Sequence, residues 1–268
     1  LKFLPYGMRE LRILQGNLNS VLSGLNTDQK RSLLPRQLNF VEFTDLSEET
    51  AILAPPGLKT LNCYTAQFSE KTLAQLPTSL QNLNVSWNYV LSPDDSALQH
   101  LPRNLVRLTL HKSLSATIFS SAASSWLPRG LRHLKLNNFK AMPGWYRGLP
   151  ETMDHLVLDG QSMTLTDMQD LCISCPVLAH LDLTLQNNTD EDSDQRTTPT
   201  TNNLGELIIN CPRTLVVLAC TVAYMKPNVD NTHLMNLPPK LTQLSIADAA
   251  SIDAKVLPYL PASLTELG

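Results

Sequence analysis

The hydrophobic positions of this chain fall into one recurring frame, Leu-Pro-x-x-Leu-x-x-Leu-x-Leu, written most fully from Leu101 to Leu110. The same spacing returns at Pro5, Pro35, Pro55, Pro77, Pro128, Pro150, Pro212, Pro238 and Pro261, and one residue shorter at Pro176, which makes eleven copies. Successive anchor prolines are 30, 20, 22, 25, 26, 22, 26, 36, 26 and 23 residues apart, a period at which internal repetition outranks other fold signals. The closing Leu-x-Leu of each copy alternates apolar and polar residues, the pattern of a short strand with one buried face. Strands are therefore predicted around Arg12, Glu42, Asn62, Asn84, Thr109, Lys135, Val157, Asp182, Ala219 and Ser245, with a last one running to Gly268. A connection of some 20 residues is too long for a hairpin and returns each strand parallel to the one before it.

Between strands the pattern turns helical or irregular. Asp45 with Glu48, Thr166 with Gln169 and Asn203 with Glu206 have capping-box spacing. Further short helices are predicted over 69–76, 94–101, 114–126, 230–237 and 252–260. Each ends where the next Leu-Pro begins, because proline has no amide proton and pushes the preceding residue toward extended geometry. Stacking of coils then buries Leu105, Leu108 and Leu110 against their equivalents on either side. The frame is interrupted over 186–203, where Asp190, Glu191, Asp192 and Asp194 sit among Thr and Asn. Such a composition cannot pack a core and predicts a polar, mobile insertion. Otherwise residues 1–268 read as one domain, and both ends open on a copy of the frame, so further sequence or another chain is expected to continue or cap the array.

Composition narrows the functions. With 21 basic against 24 acidic residues there is no concentrated positive charge to meet a nucleic-acid backbone. No apolar run is long enough to span a membrane, and no signal-peptide layout opens the chain. The five cysteines are odd in number and scattered, which suggests a reducing, cytoplasmic setting rather than a disulfide framework. Cys63 and Cys220 stand at the last Leu of the frame, and Cys175 and Cys211 at the Leu before proline, so all four are expected in the core. Cys172 and Cys175 form a lone C-x-x-C without a second pair, and no metal or cofactor is expected.

The copies at Pro77, Pro102, Pro128, Pro150 and Pro238 resemble the leucine-rich-repeat superfamily. Their Leu-Pro form looks like repeats of secreted bacterial effector ubiquitin ligases and the FNIP-type repeats of amoebae, while Cys175-Pro176 and Cys211-Pro212 look like repeats of F-box proteins. The resemblance implies an α/β solenoid with a curved parallel sheet on its concave face, short helices on its convex face and a role in binding another protein. Two alternatives stand beside that role: the substrate-recognition arm of a ubiquitin ligase, or a structural subunit of a large assembly. Typical repeats place an Asn three residues after the last Leu, and here only Asn88 stands there.

If the leucines face the core, the residues around them form polar columns on the concave side. The column before the first Leu includes Arg107, His133, His155 and His180; the column after the last Leu includes Tyr64, His111 and Asp159; the middle column holds Asn84, Lys135 and Asp182. These ten residues are the expected partner-binding surface. His133, His155 and His180 come from consecutive copies, and imidazoles so spaced resist becoming charged together. Two readings stand: a pH-sensitive contact patch, or the ordinary polarity of exposed strand positions. Tetrahedral zinc binding is disfavoured, since neighbouring strand side chains project nearly in parallel. Nucleophile-elbow, phosphate-loop and zincin motifs are missing from the sequence, so no enzyme activity is expected.

Overall fold

The structure is a computed structural model and describes residues 4–5, 7–13, 24–66, 69–87, 95–112, 117–137, 139–161, 163–185, 204–222, 229–246 and 254–268. The predicted insertion at 186–203, the Asn203 cap and Asn88 lie outside these residues.

Each copy of the frame begins with a turn. The carbonyl of the anchor proline accepts from the amide three residues on, as in Pro77 to Leu80 (3.0 Å), Pro128 to Leu131 (2.9 Å) and Pro261 to Leu264 (2.9 Å). The shortened copy keeps the turn by moving it: Cys175 O, not Pro176 O, accepts from Leu178 N at 3.1 Å. Cys175 therefore occupies the place of the anchor proline rather than that of the leucine before it, and Pro176 becomes the second turn residue, where its fixed φ is favoured. A polar side chain just before the turn leucine ties coil to coil. Ser79 Oγ donates to Leu58 O (2.7 Å), Asn104 Nδ2 to Thr78 O (2.8 Å), Thr214 Oγ1 to Leu178 O (2.6 Å) and Ser263 Oγ to Leu241 O (2.7 Å).

The turn leads into a strand: β1 (Glu10–Ile13), β2 (Phe40–Leu46), β3 (Thr60–Ala66), β4 (Asn82–Trp87), β5 (Arg107–Lys112), β7 (His133–Asn137), β9 (His155–Gln161), β10 (His180–Leu185), β11 (Val217–Val222), β12 (Gln243–Ile246) and β13 (Glu266–Leu267). All ten predicted strand centres fall on these elements and the predicted last strand is β13; the strands form one parallel sheet in chain order, the α/β architecture of a leucine-rich-repeat solenoid. Between β9 and β10 the register skips Gly160, whose φ of 80° puts the bulged residue in a conformation other side chains rarely adopt.

The chain divides into two compact units, Leu1–Thr117 with Ser125–Lys135, and Ile118–Ser124 with Leu136–Gly268. In the first, the returns carry α1 (Thr27–Arg31), α2 (Glu48–Ala51) and α3 (Glu70–Ala74), and the core is a ladder of frame leucines such as Leu58, Leu61, Leu80, Leu83, Leu105 and Leu108, each at most 1% exposed. In the second, α4 (Leu165–Ser174), α5 (Leu204–Ile209) and α6 (Asn231–Leu234) line the returns, over Leu156, Leu181, Leu183, Leu218 and Leu244.

One of the predicted helices and two of the predicted caps depart from expectation. The segment predicted as a helix over 114–126 instead contains β6 (Thr117–Phe119), paired with β8 (Phe139–Ala141), before a 3-10 turn at Ala123–Trp126. Thr117-Ile118-Phe119 is β-branched and aromatic, and Phe119 stacks on Phe139 with centroids 4.9 Å apart and lies 6.1 Å from Trp145. Trp145 and Tyr146 are thus core residues. The short helices predicted over 94–101 and 252–260 are present as 3-10 helices, Asp95–His100 and Ala254–Tyr259, the tighter form that short returns favour. Two caps also sit elsewhere than predicted. Ser47 with Thr50 caps α2 while Asp45 is still in β2, and Thr164 with Asp167 caps α4, two residues earlier than Thr166, which lies inside the helix.

Candidate binding surface

Alternation along each strand sends one set of side chains into the core and the other to the open face. In β5, Leu108 and Leu110 are buried, Arg107 is exposed and Thr109 and His111 are half-buried. Strand register turns motif positions into columns. In the first unit Glu10, Phe40, Thr60, Asn82 and Arg107 are in-register partners. In the second, His155, His180, Val217, Gln243 and Glu266 are.

One cluster on the face of the first unit was not among the ten expected residues except for Tyr64. Glu42, only 4% exposed, accepts a short hydrogen bond from the Tyr64 hydroxyl and lies 3.4 Å from Arg12 Nε. Arg12 also covers the Phe40 ring at 5.2 Å. The carboxylate is therefore paired rather than stranded, and its hydrogen bond holds the Tyr64 hydroxyl's pKa above the usual phenol value. Tyr64 keeps half of its surface, 51%, open to solvent while its hydroxyl is fixed. Arg12 and Glu42 are both strand centres in adjacent copies, so their pairing was readable from the columns once register is known.

Further along the same unit, Asn84 is exposed on β4, Arg107 and His111 lie on β5, and His133 and Lys135 open β7. Val106 O accepts from both Arg132 N (2.9 Å) and His133 N (3.0 Å), as Gln81 O does from Val106 N and Arg107 N. That repeated ladder places Arg107 beside His133 and Thr109 beside Lys135.

In the second unit, His155 and His180 stack with ring centroids 3.8 Å apart and planes 13° from parallel. Burial lowers the pKa of His180, against the opposing pull of Asp182. Stacked imidazoles that close resist double protonation, and the pair presents a flat ring surface. Asp159 pairs with Thr184 across β9 and β10, and Asp182 lies between Val157 and Ala219 in the middle column; both acids are half-buried. His133, the third residue of the expected column, belongs to the other compact unit.

Four of the thiols, Cys63, Cys175, Cys211 and Cys220, are core groups, and Cys172 is half-buried. Burial pushes the Cys175 and Cys220 thiols up to about 12, and raises Cys63, Cys172 and Cys211. Cys172 donates to Asn210 O at 3.1 Å. Protonated thiols of this kind are poor nucleophiles and poor metal ligands. Among the described residues no group of three or more His, Cys, Asp or Glu could hold a metal ion, and no helix is long and apolar enough to cross a membrane.

No family model matches the chain. No curated protein matches it either. Among solved structures it is similar to CroV588, described as a novel circular LRR protein, with 21% identity and a TM-score of 0.46 over 88% of this chain and 34% of that one. It is also similar to the leucine-rich repeat-containing protein LegL7 from Legionella pneumophila, with 15% identity and a TM-score of 0.48 over 99% and 84% of the two chains. An internalin from Listeria monocytogenes gives 15%, 0.46, 87% and 67%. The chain thus spans about a third of the length of CroV588. Likenesses this distant say nothing about what the chain binds.

Proposed function

We propose that this leucine-rich-repeat chain is a protein-binding module that meets its partner on the open face of the sheet. One observation carries the reading: strand register lays polar and aromatic side chains in columns on a backbone whose own hydrogen bonds are satisfied between strands. The face is therefore side-chain chemistry on a rigid platform, the arrangement that limits the entropy lost on binding. Tyr64, its hydroxyl held by Glu42, and the His155–His180 stack are ordered ring surfaces of the kind that anchor interfaces.

A photo-crosslinking comparison tests this. Benzoyl-phenylalanine is placed on the open face at Asn62, Thr109 or Ala219 and on the helix side at Lys71, Gln169 or Ile173, and each variant is exposed to extract of the source cells. The face positions are expected to trap one common protein and the helix-side positions not to. Adducts confined to the helix side would overturn the reading.

A further inference from the structure

We infer that the open face of β4, β5 and the first residues of β7 receives an acidic segment of a protein partner, whose carboxylates pair with Arg107 and Lys135. The inference rests on the reading that this face is where a protein docks, and it adds the chemistry of what docks there.

Charge distribution within the first unit is the starting point. The open-face positions of these strands are Asn82, Asn84 and Ser86, then Arg107, Thr109 and His111, then His133 and Lys135. None is an Asp or a Glu. The carboxylate of the unit's face that lies nearest in strand order, Glu42 on β2, is already occupied by Arg12 and Tyr64. Arg107 and Lys135 are both exposed, and neither makes an ion pair among the described residues. By the ladder given above they stand on adjacent strands, one position apart along the face.

Like charges on neighbouring strands oppose folding slightly, and the open-face positions of these three strands hold no carboxylate to offset them. An anionic partner would remove that repulsion on binding and would be drawn toward the patch in solution. The remaining side chains favour carboxylates of a polypeptide over a phosphate backbone. Two full cations are too few for the six to ten phosphate contacts that nucleic-acid binding commonly uses. Asn84, Ser86 and Thr109 instead offer both donors and acceptors, which suits peptide groups and polar side chains around the ion pairs. Asn82 is turned away from that role in part, since its Nδ2 donates to Thr60 Oγ1 at 3.0 Å.

The test uses the whole chain and a fluorescein-labelled deca-glutamate peptide, with deca-glutamine, deca-lysine and a ten-nucleotide single-stranded DNA as comparisons, followed by anisotropy at low and at physiological salt. Deca-glutamate is expected to bind more tightly than the others, and less so as salt rises. R107E/K135E should weaken it at least tenfold and gain deca-lysine binding, while R107Q/K135Q should weaken it without that gain; both should keep the wild-type thermal midpoint. Absence of deca-glutamate binding, indifference of that binding to both double substitutions, or tighter binding of the DNA would each overturn the inference. The underlying reading fails separately. If the Asn62 and Ala219 adducts persist in the R107E/K135E background, a protein still docks on the face and only its acidic chemistry is wrong; if no face position yields an adduct, the docking face itself is wrong.

Discussion

Leu108→Asp is expected to lower the thermal midpoint by roughly 10–20 °C, whereas Arg107→Asp, one residue earlier in the same strand, should move it by no more than about 2 °C. Leu108 is 1% exposed in the middle of the leucine ladder, and Arg107 points to the open face. Full burial of a leucine contributes about 1.5–3 kcal/mol. A carboxylate in its place has no donor to meet it and costs several kcal/mol more, a large share of the roughly 5–15 kcal/mol that holds a domain together. Because each coil rests mainly on its neighbours, the loss should begin locally. Hydrogen exchange is expected to speed up first in β4, β5 and β7. Equal effects of the two substitutions would mean that the alternation along β5 is misassigned.

Gly205→Ala is expected to destabilise, against the usual rule for a helical glycine. In an ordinary helix the change gains about 1 kcal/mol. Here a Cβ would fall 2.3 Å from Nε2 and 2.4 Å from Cδ2 of His233. That ring has little room to leave, because its Nδ1 lies 3.2 Å from Asp230 N and 2.7 Å from Asp230 Oδ1, closing the box that caps α6. Displacing it gives up a cap worth about 1 kcal/mol, and crowding the site adds about 1–3 kcal/mol. The net effect is a loss of about 1–3 kcal/mol in a denaturant titration. Removing the obstacle should remove the penalty, so Gly205→Ala in a His233→Ala background is expected to be neutral or stabilising. A single substitution that stabilises would show that the close approach of α5 and α6 is not as described.

The strands were legible because the signal for them is redundant. Eleven copies of one leucine spacing state the same period, and an error in one copy is corrected by the rest. Caps and returns have no such redundancy. Around α2, Asp45, Ser47 and Thr50 all have capping chemistry, and the choice among them depends on where β2 stops, at Leu46, which sheet pairing with β3 decides. The Thr117–Phe119 strand likewise needs Phe139 and Trp145 to form, two residues distant in sequence that no local pattern connects to it.

The open face divides the same way. That Arg107, His111, Lys135, His155 and His180 lie opposite the leucines follows from alternation alone. What those side chains do to each other depends on register and on compact units. Alternation could align the histidines but not say that the His155 and His180 rings stack. The Cys175 turn is a further case: a one-residue deletion read at Pro176 leaves open which residue moves, and the hydrogen bond to Leu178 N decides it.

Stacking in register, with the same motif position forming a column on one face, underlies the binding reading and the acidic-partner inference alike. The most direct measurement is the nuclear Overhauser effect between the imidazole protons of His155 and His180 in the intact chain near neutral pH. A strong cross-peak is expected, from rings whose centroids are 3.8 Å apart. A slip of one residue would carry His180 to the opposite face, among the leucines. No cross-peak between the two rings, with His180 contacting leucine methyl groups instead, would contradict the register and the columns built on it.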